Sequence, residues 1–321
     1  MGRFCARNAT LLANHSACGQ ARPTVGDGSY TLGYAKVAFA HAMSARRSGL
    51  MNGLHGALGV LGFVLTTYGA MLGWLWLAQE KLLFVPTALA QRSALATAPD
   101  IHETWIEVPG ARLSALHLQL PDPKGVVFFL HGNGGNLQSW FVMPEFYRRA
   151  NFDLFMIDYR GYGKSSGKIE SQAQLQADVR AAWASIAGRY QGRKLVVYGR
   201  SLGSGLAAAL SVELAPSRAP DLTVLVSPYT SMAALMHDHY PWVPSALLRY
   251  PLRTDESITR IPNRLLLIHG AQDVLIAPRH SETLQALVPH AQLLRVLGAA
   301  HNDLQDSPVY LQGFAGALDA L

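Results

Sequence analysis

The stretch 194–210, KLVVYGRSLGSGLAAAL, decides how the rest of the chain is read. Leu195–Tyr198 is a short apolar run of the kind that forms a strand buried on both faces. The Ala- and Leu-rich residues after Leu202 favour a helix. Between them, Gly199-Arg200-Ser201-Leu202-Gly203 must reverse the chain over a few residues. A strand that feeds a helix through G-x-S-x-G holds its serine on a tight, exposed elbow, where neighbouring side chains would collide with the turn. Ser201 is therefore the candidate nucleophile, and Gly203 and Gly205 let the new helix approach closely.

The pentapeptide occurs a second time, as Gly163-Lys164-Ser165-Ser166-Gly167, so the bare pattern decides nothing. This copy follows the strand-like DLFMIDY but lies in a polar loop with no helix behind it, and reads as a turn. Its GKSS is not a phosphate loop either, because the first glycine of such a loop would fall at Asp158.

Outward from the elbow, short apolar runs alternate with amphipathic stretches. Thr104–Val108 and Leu113–Leu118 read as an initial hairpin, followed by strands at Val126–Leu130, Leu154–Ile157, Leu195–Tyr198, Leu222–Val226, Leu265–Ile268 and Leu293–Val296. Helices are expected at Leu137–Arg149, Ser171–Ala187, Leu202–Leu214, Ser281–Leu287 and Pro308–Ala320. Such alternation implies a mostly parallel sheet with helices on both faces. The segment at about 228–262, rich in Pro, His, Tyr and Trp, breaks the rhythm and reads as a small cap inserted after the sixth strand.

An acyl-transfer serine needs a base, and the base needs an acid to orient it. Asp273 follows RLLLIHG and His301 follows LLRVLGAA, so both emerge at the C-terminal ends of late strands, on the edge of the sheet that carries Ser201. The order serine, acid, histidine fits this topology. His131 and His269 sit directly on strand ends and read as structural, while His290 precedes the last strand on the wrong edge. The loop SPYTS after Leu222–Val226 offers no carboxylate. For the oxyanion, the small residues of His131-Gly132-Asn133-Gly134-Gly135 would let the Asn133 backbone N–H face the site, with the Leu202 N–H as second donor.

Nothing in the sequence requires a metal or nucleotide cofactor. His237-Asp238-His239 is one short cluster in the cap, and no G-x-G-x-x-G follows a strand. The net charge of +6 would suit nucleic acid, but it is concentrated at the N-terminus. Residues 1–50 carry six basic residues against Asp27, whereas the chain from Glu80 onward holds 21 basic and 20 acidic residues. Cys5 and Cys18 both lie in that tail, so the remainder has no thiol nucleophile.

Residues 1–50 show no sustained periodicity and read as a poorly ordered basic tail, or as an over-extended gene start before Met51. No Asp, Glu, Lys or Arg occurs between Ser48 and Gln79. The run Leu54–Ala78 exceeds the roughly 20 residues that cross a hydrocarbon core, and residues 51–80 read as a single transmembrane anchor. Trp74 and Trp76 suit the interface. Six basic residues precede the span and only Lys81 and Arg92 follow it closely, which puts residues 81–321 on the non-cytoplasmic, periplasmic side. Gly69 and Gly73 are too common a pair in such helices to argue for a dimer.

Taken in order, QEKLLFVP, HGNGGN, DYRGYGKSSG, GRSLGSG, SPYTS, LLLIHGAQDVLI and GAAHND resemble the α/β-hydrolase superfamily. Within it the chain resembles the single-anchor membrane serine hydrolases that include the protein depalmitoylases and their uncharacterised bacterial relatives. The resemblance implies an α/β-hydrolase fold, a triad of Ser201, Asp273 and His301, and an oxyanion hole from the Asn133 and Leu202 backbones. It also implies that DYRGYGKSSG lines the rim of the site. The long tail, without clustered cysteines, departs from that pattern. The expected activity is cleavage of an ester or thioester in an acyl or lipid-like substrate. Amide or peptide cleavage by the same residues, and a non-catalytic binding protein of this fold, are the alternatives.

Overall fold

A computed structural model of the chain describes residues 29–321. Residues 1–28, with Cys5, Cys18 and the first basic residues, lie outside the described part. By its internal contacts the chain divides after Thr67.

The first described element is α1 (Ser29–Leu77), a helix of 49 residues. It starts well before residue 51, where the anchor was expected, so residues 29–50 are helical rather than irregular. The reason is local: YAKVAFAHAMSARR is rich in alanine and unbranched side chains and contains no proline, which favours helix without any amphipathic stripe. Apolar side chains such as Val60 and Phe63 are exposed along it. It is long and apolar enough to cross a membrane.

From Tyr68 onward the chain builds an eight-stranded sheet. After α2 (Gln79–Leu83) come β1 (Ile101–Val108), β2 (Ala111–Leu118) and β3 (Gly125–Leu130), then α3 (Leu137–Trp140), α4 (Pro144–Ala150) and β4 (Phe152–Ile157). Next are α5 (Gln172–Ala187), β5 (Lys194–Arg200), α6 (Leu202–Arg218) and β6 (Leu222–Val226). The chain closes with α7 (Met232–His239), α8 (Thr254–Ile258), β7 (Arg264–Gly270), α9 (Arg279–Leu287), β8 (Gln292–Val296) and α10 (Pro308–Asp319). The strand order is β1-β2-β4-β3-β5-β6-β7-β8. β1 and β2 pair antiparallel, β2 runs antiparallel to β4, and all remaining pairs are parallel.

Alternate residues of each central strand enter two separate cores, one on each face. Val126, Phe128 and Leu130 of β3 join one, and Val127 and Phe129 join the other. This is why the strands read as unbroken apolar runs: both faces are covered, and each fully buried Leu or Phe contributes roughly 1.5–3 kcal/mol.

One helix expected over Leu137–Arg149 is broken into α3 and α4. Pro144 cannot continue a helix, and the residue before a proline is driven out of the α region. Met143 accordingly takes φ 58°, and Pro144 starts the new helix. Between β6 and β7 the chain forms α7, α8 and the loops around them, the segment referred to below as the cap. The segment from Tyr68 to Phe84 packs on it. Tyr68 donates to the Trp242 carbonyl at 2.8 Å, Gln79 exchanges hydrogen bonds with Leu247 and Arg249, and Glu80 accepts from Tyr250 at 2.9 Å. That is the structural use of QEKLLFVP.

Candidate active site

β5 delivers Ser201 at φ 51° and ψ −120°, a left-handed conformation that favours glycine, with its N–H held by the Val226 carbonyl at 2.9 Å. The glycines around it are required by space. A Cβ on Gly199 would lie 2.2 Å from the Gly203 carbonyl oxygen, and one on Gly203 would lie 2.1 Å from that of Leu130. A Cβ on Gly205 would meet the Tyr229 hydroxyl at 2.4 Å, and that hydroxyl donates to the Leu202 carbonyl. SPYTS therefore supplies the tyrosine that locks the first turn of α6.

The loops after β7 and β8 bring Asp273 and His301 to the same place. His301 Nε2 lies 3.2 Å from Ser201 Oγ, and its Nδ1 lies 2.7 Å from Asp273 Oδ2. The other oxygen, Oδ1, accepts the N–H groups of Leu275 and Ile276 at 3.0 and 2.8 Å. Burial alone would raise the Asp273 carboxyl. Hydrogen bonds from His269, His301 and the Ile276 N–H outweigh burial and hold the group well below the usual carboxylate range. With Asp273 held negative, the arrangement allows His301 to donate Nδ1–H to it while Nε2 faces Ser201 Oγ.

The loop after β3 lies directly over the elbow. A Cβ on Gly132 would sit 3.4 Å from the Ser201 Cβ and 2.9 Å from the Trp140 ring. Among the described residues no hydrogen-bond acceptor faces the backbone N–H of Asn133 or of Leu202. The Asn133 side chain is fully engaged. Its Oδ1 accepts from Val85 N–H, Gly134 N–H and the Tyr162 hydroxyl, and its Nδ2 donates to the Leu83 carbonyl. The asparagine thus fixes its own backbone by tying the loop to the segment after α2.

DYRGYGKSSG supports that loop from behind rather than serving as a second nucleophile site. Ser165 donates to the Asp158 carbonyl and accepts from Ser114 N–H, and Lys164 pairs with Glu103 at 2.8 Å. Asp158 itself is buried, with Oδ1 accepting from Leu137 N–H at 2.9 Å and lying 3.7 Å from His131 Nε2. Burial pushes the Asp158 carboxyl up to about 7 against the Leu137 hydrogen bond, and burial lowers His131 to about 4. This His131–Asp158 couple escaped the sequence reading, because the residues are far apart in the chain and each looks like an ordinary strand-end residue.

His269, read as structural, bonds Ser281 Oγ at 2.6 Å and the Ile276 carbonyl at 2.7 Å. It also comes within 3.4 Å of Asp273 Oδ2, so it braces the acid loop. His290 is exposed and precedes β8. In the cap, Asp238 is shared by Arg279 and His280, and His239 bonds the Leu275 carbonyl at 2.9 Å, which docks α7 on the acid loop.

Residues 121–254 match a family model described as serine aminopeptidase, S33. An uncharacterised protein of Mycobacterium tuberculosis is 31% identical over 258 residues, spanning 77% of this chain and 89% of the relative. Alpha/beta hydrolase domain-containing protein 17B of Homo sapiens is 32% identical over 211 residues, covering 63% of this chain and 69% of that protein. This chain belongs to the α/β-hydrolase family. Solved structures agree on the fold. An esterase of Pyrococcus furiosus superposes with a TM-score of 0.59 at 18% identity, over 74% of this chain and 98% of that one. A thioesterase domain from the curacin biosynthetic pathway superposes with a TM-score of 0.51 at 14% identity, over 68% and 99%.

Proposed function

We propose that this α/β-hydrolase is a membrane-anchored serine hydrolase that cleaves an ester or thioester through an acyl-Ser201 intermediate. The observation that carries the proposal is the position of His301, with one ring nitrogen on Ser201 Oγ and the other on Asp273. Ser201 Oγ attacks the acyl carbonyl carbon while its proton passes to His301 Nε2. The oxyanion so formed accepts from the Asn133 and Leu202 N–H groups, the second of which opens α6 and carries the positive end of the helix dipole. Collapse breaks the bond to the leaving group, which takes the proton from His301. A water molecule then repeats the sequence and frees the acid. Asp273 holds the His301 tautomer and balances the transient imidazolium.

An acyl or lipid-like substrate is favoured by the loops that carry the acid and the base. Val274 is 88% exposed and Leu297 84%, and Tyr240 and Trp242 of the cap are also exposed. The exposed apolar length of α1 supports the anchor. The excess of basic residues before the span supports a periplasmic hydrolase domain. Amide cleavage is the second reading, carried by the description of the matching family model.

A panel of p-nitrophenyl esters, thioesters and p-nitroanilides with matched acyl groups tests this on wild type and Ser201→Ala. The expected result is turnover of esters and thioesters, rising with acyl length and abolished in the variant. Turnover of the anilides alone would transfer the assignment to amide cleavage.

A further inference from the structure

Arg200, the residue just before Ser201, is 3% exposed. Buried guanidinium groups are ordinarily matched by a carboxylate, because desolvating an unpaired charge is unfavourable. Arg160 follows that rule and grips Asp178 through two nitrogens at 2.6 and 2.9 Å. Arg200 has no carboxylate partner among the described residues. Its Nη2 donates to the backbone carbonyl of His301 at 2.6 Å, its guanidinium lies 5.2 Å from the centre of the Trp140 ring, and its Nε is buried without a partner.

Trp140 extends the connection. Its indole N–H donates to the Gly134 carbonyl at 2.8 Å, and its ring stacks near His131 and leaves room at Gly132 only for glycine. One side chain thus joins the base loop after β8 to the oxyanion-side loop after β3, while its own backbone leads into the nucleophile. Stacking on a ring while donating from the edge suits a planar guanidinium and not an ammonium. A carboxylate partner here would also set a second negative charge beside His301, in competition with Asp273.

We propose that Arg200 is a positioning residue: it fixes the distance of the His301 ring from Ser201 and, through Trp140, the register of the oxyanion-side loop. The proposal rests on the Ser201–His301–Asp273 reading above. A misplacement of reacting groups by about 1 Å lowers turnover by roughly 100-fold, so loss of the clamp acts on kcat and leaves KM nearly unchanged.

The test uses full-length protein in mild detergent, with kcat and KM for p-nitrophenyl butyrate and a thermal unfolding curve for each variant. Arg200→Met is expected to lose about 10- to 100-fold in kcat with KM nearly unchanged. Arg200→Lys is expected to recover part of that loss, since an ammonium still reaches the His301 carbonyl. Trp140→Phe is expected to lose less, and Arg200→Met/Trp140→Phe no more than Arg200→Met alone, because the two act as one unit. A folded Arg200→Met with wild-type kcat overturns the proposal, as do losses that multiply independently in the double variant. If Arg200→Met does not fold, Arg200→Lys decides: reduced kcat at unchanged KM supports the clamp, and wild-type kcat overturns it. Ser201→Ala separates the two levels, since hydrolysis surviving in that variant removes the triad reading itself.

Discussion

Replacing Asp158 with asparagine is expected to change how stability depends on pH. Asp158 is fully buried and its carboxyl is pushed up to about 7, chiefly by burial, from an ordinary value of 3.8. Between those limits the folded chain holds a proton here that the unfolded chain has released. This group's stabilising contribution is therefore complete below about pH 4 and is lost as pH rises through about 7. A difference of about 3 pH units at about 1.4 kcal/mol each amounts to roughly 4 kcal/mol. Asparagine does not titrate. It can still accept from Leu137 N–H through Oδ1, while its amide nitrogen takes the place of Oδ2, which has no partner now. The stability difference between Asp158→Asn and wild type should therefore widen in favour of the variant from about pH 4 to about pH 7, by up to roughly 4 kcal/mol. Urea unfolding followed by tryptophan fluorescence, at several pH values across that window, measures the difference directly. Parallel stability curves, or a wild type that gains on the variant as pH rises, would refute the reasoning.

Four further outcomes are expected. Asp273→Asn should lower kcat by on the order of 1,000- to 10,000-fold with little change in thermal stability, because the wrong His301 tautomer then faces Ser201; steady-state kinetics and a melting curve check both halves. Gly203→Ala should destabilise by more than about 3 kcal/mol or prevent folding, since its Cβ would meet the Leu130 carbonyl at 2.1 Å. Gly316→Ala on α10, where a Cβ meets nothing within 4 Å, should gain up to about 1 kcal/mol. For orientation, a C-terminal fusion should give activity with an export-dependent reporter and no cytoplasmic fluorescence; the reverse pattern rejects the periplasmic placement.

The fold was legible because its signals are local. The six strands from β2 to β7 are runs buried on both faces along nearly all their length, and the elbow is one contiguous stretch whose glycines are needed by contacts under 3 Å. Ser201, Asp273 and His301 come together because each lies within five residues of the C-terminal end of β5, β7 or β8, and topology fixes where those strand ends meet. What escaped was non-local. The unpaired charge of Arg200 shows only when the loops after β3 and β8 are seen around it, and the His131–Asp158 couple joins residues from different strands. The start of α1 escaped because periodicity was the signal sought, whereas residues 29–50 are helical by propensity alone. The break at Met143 was legible in principle from Pro144, but the amphipathic pattern continues through it.

The most direct test of the central claim is covalent trapping. A fluorophosphonate probe is added to wild type, Ser201→Ala and His301→Ala, and the adduct is located by mass spectrometry. The account predicts a single adduct on Ser201 in wild type, none in Ser201→Ala, and labelling slowed by orders of magnitude in His301→Ala. A well-folded wild type that takes no label, or that takes it on Ser165 or another serine, would contradict it.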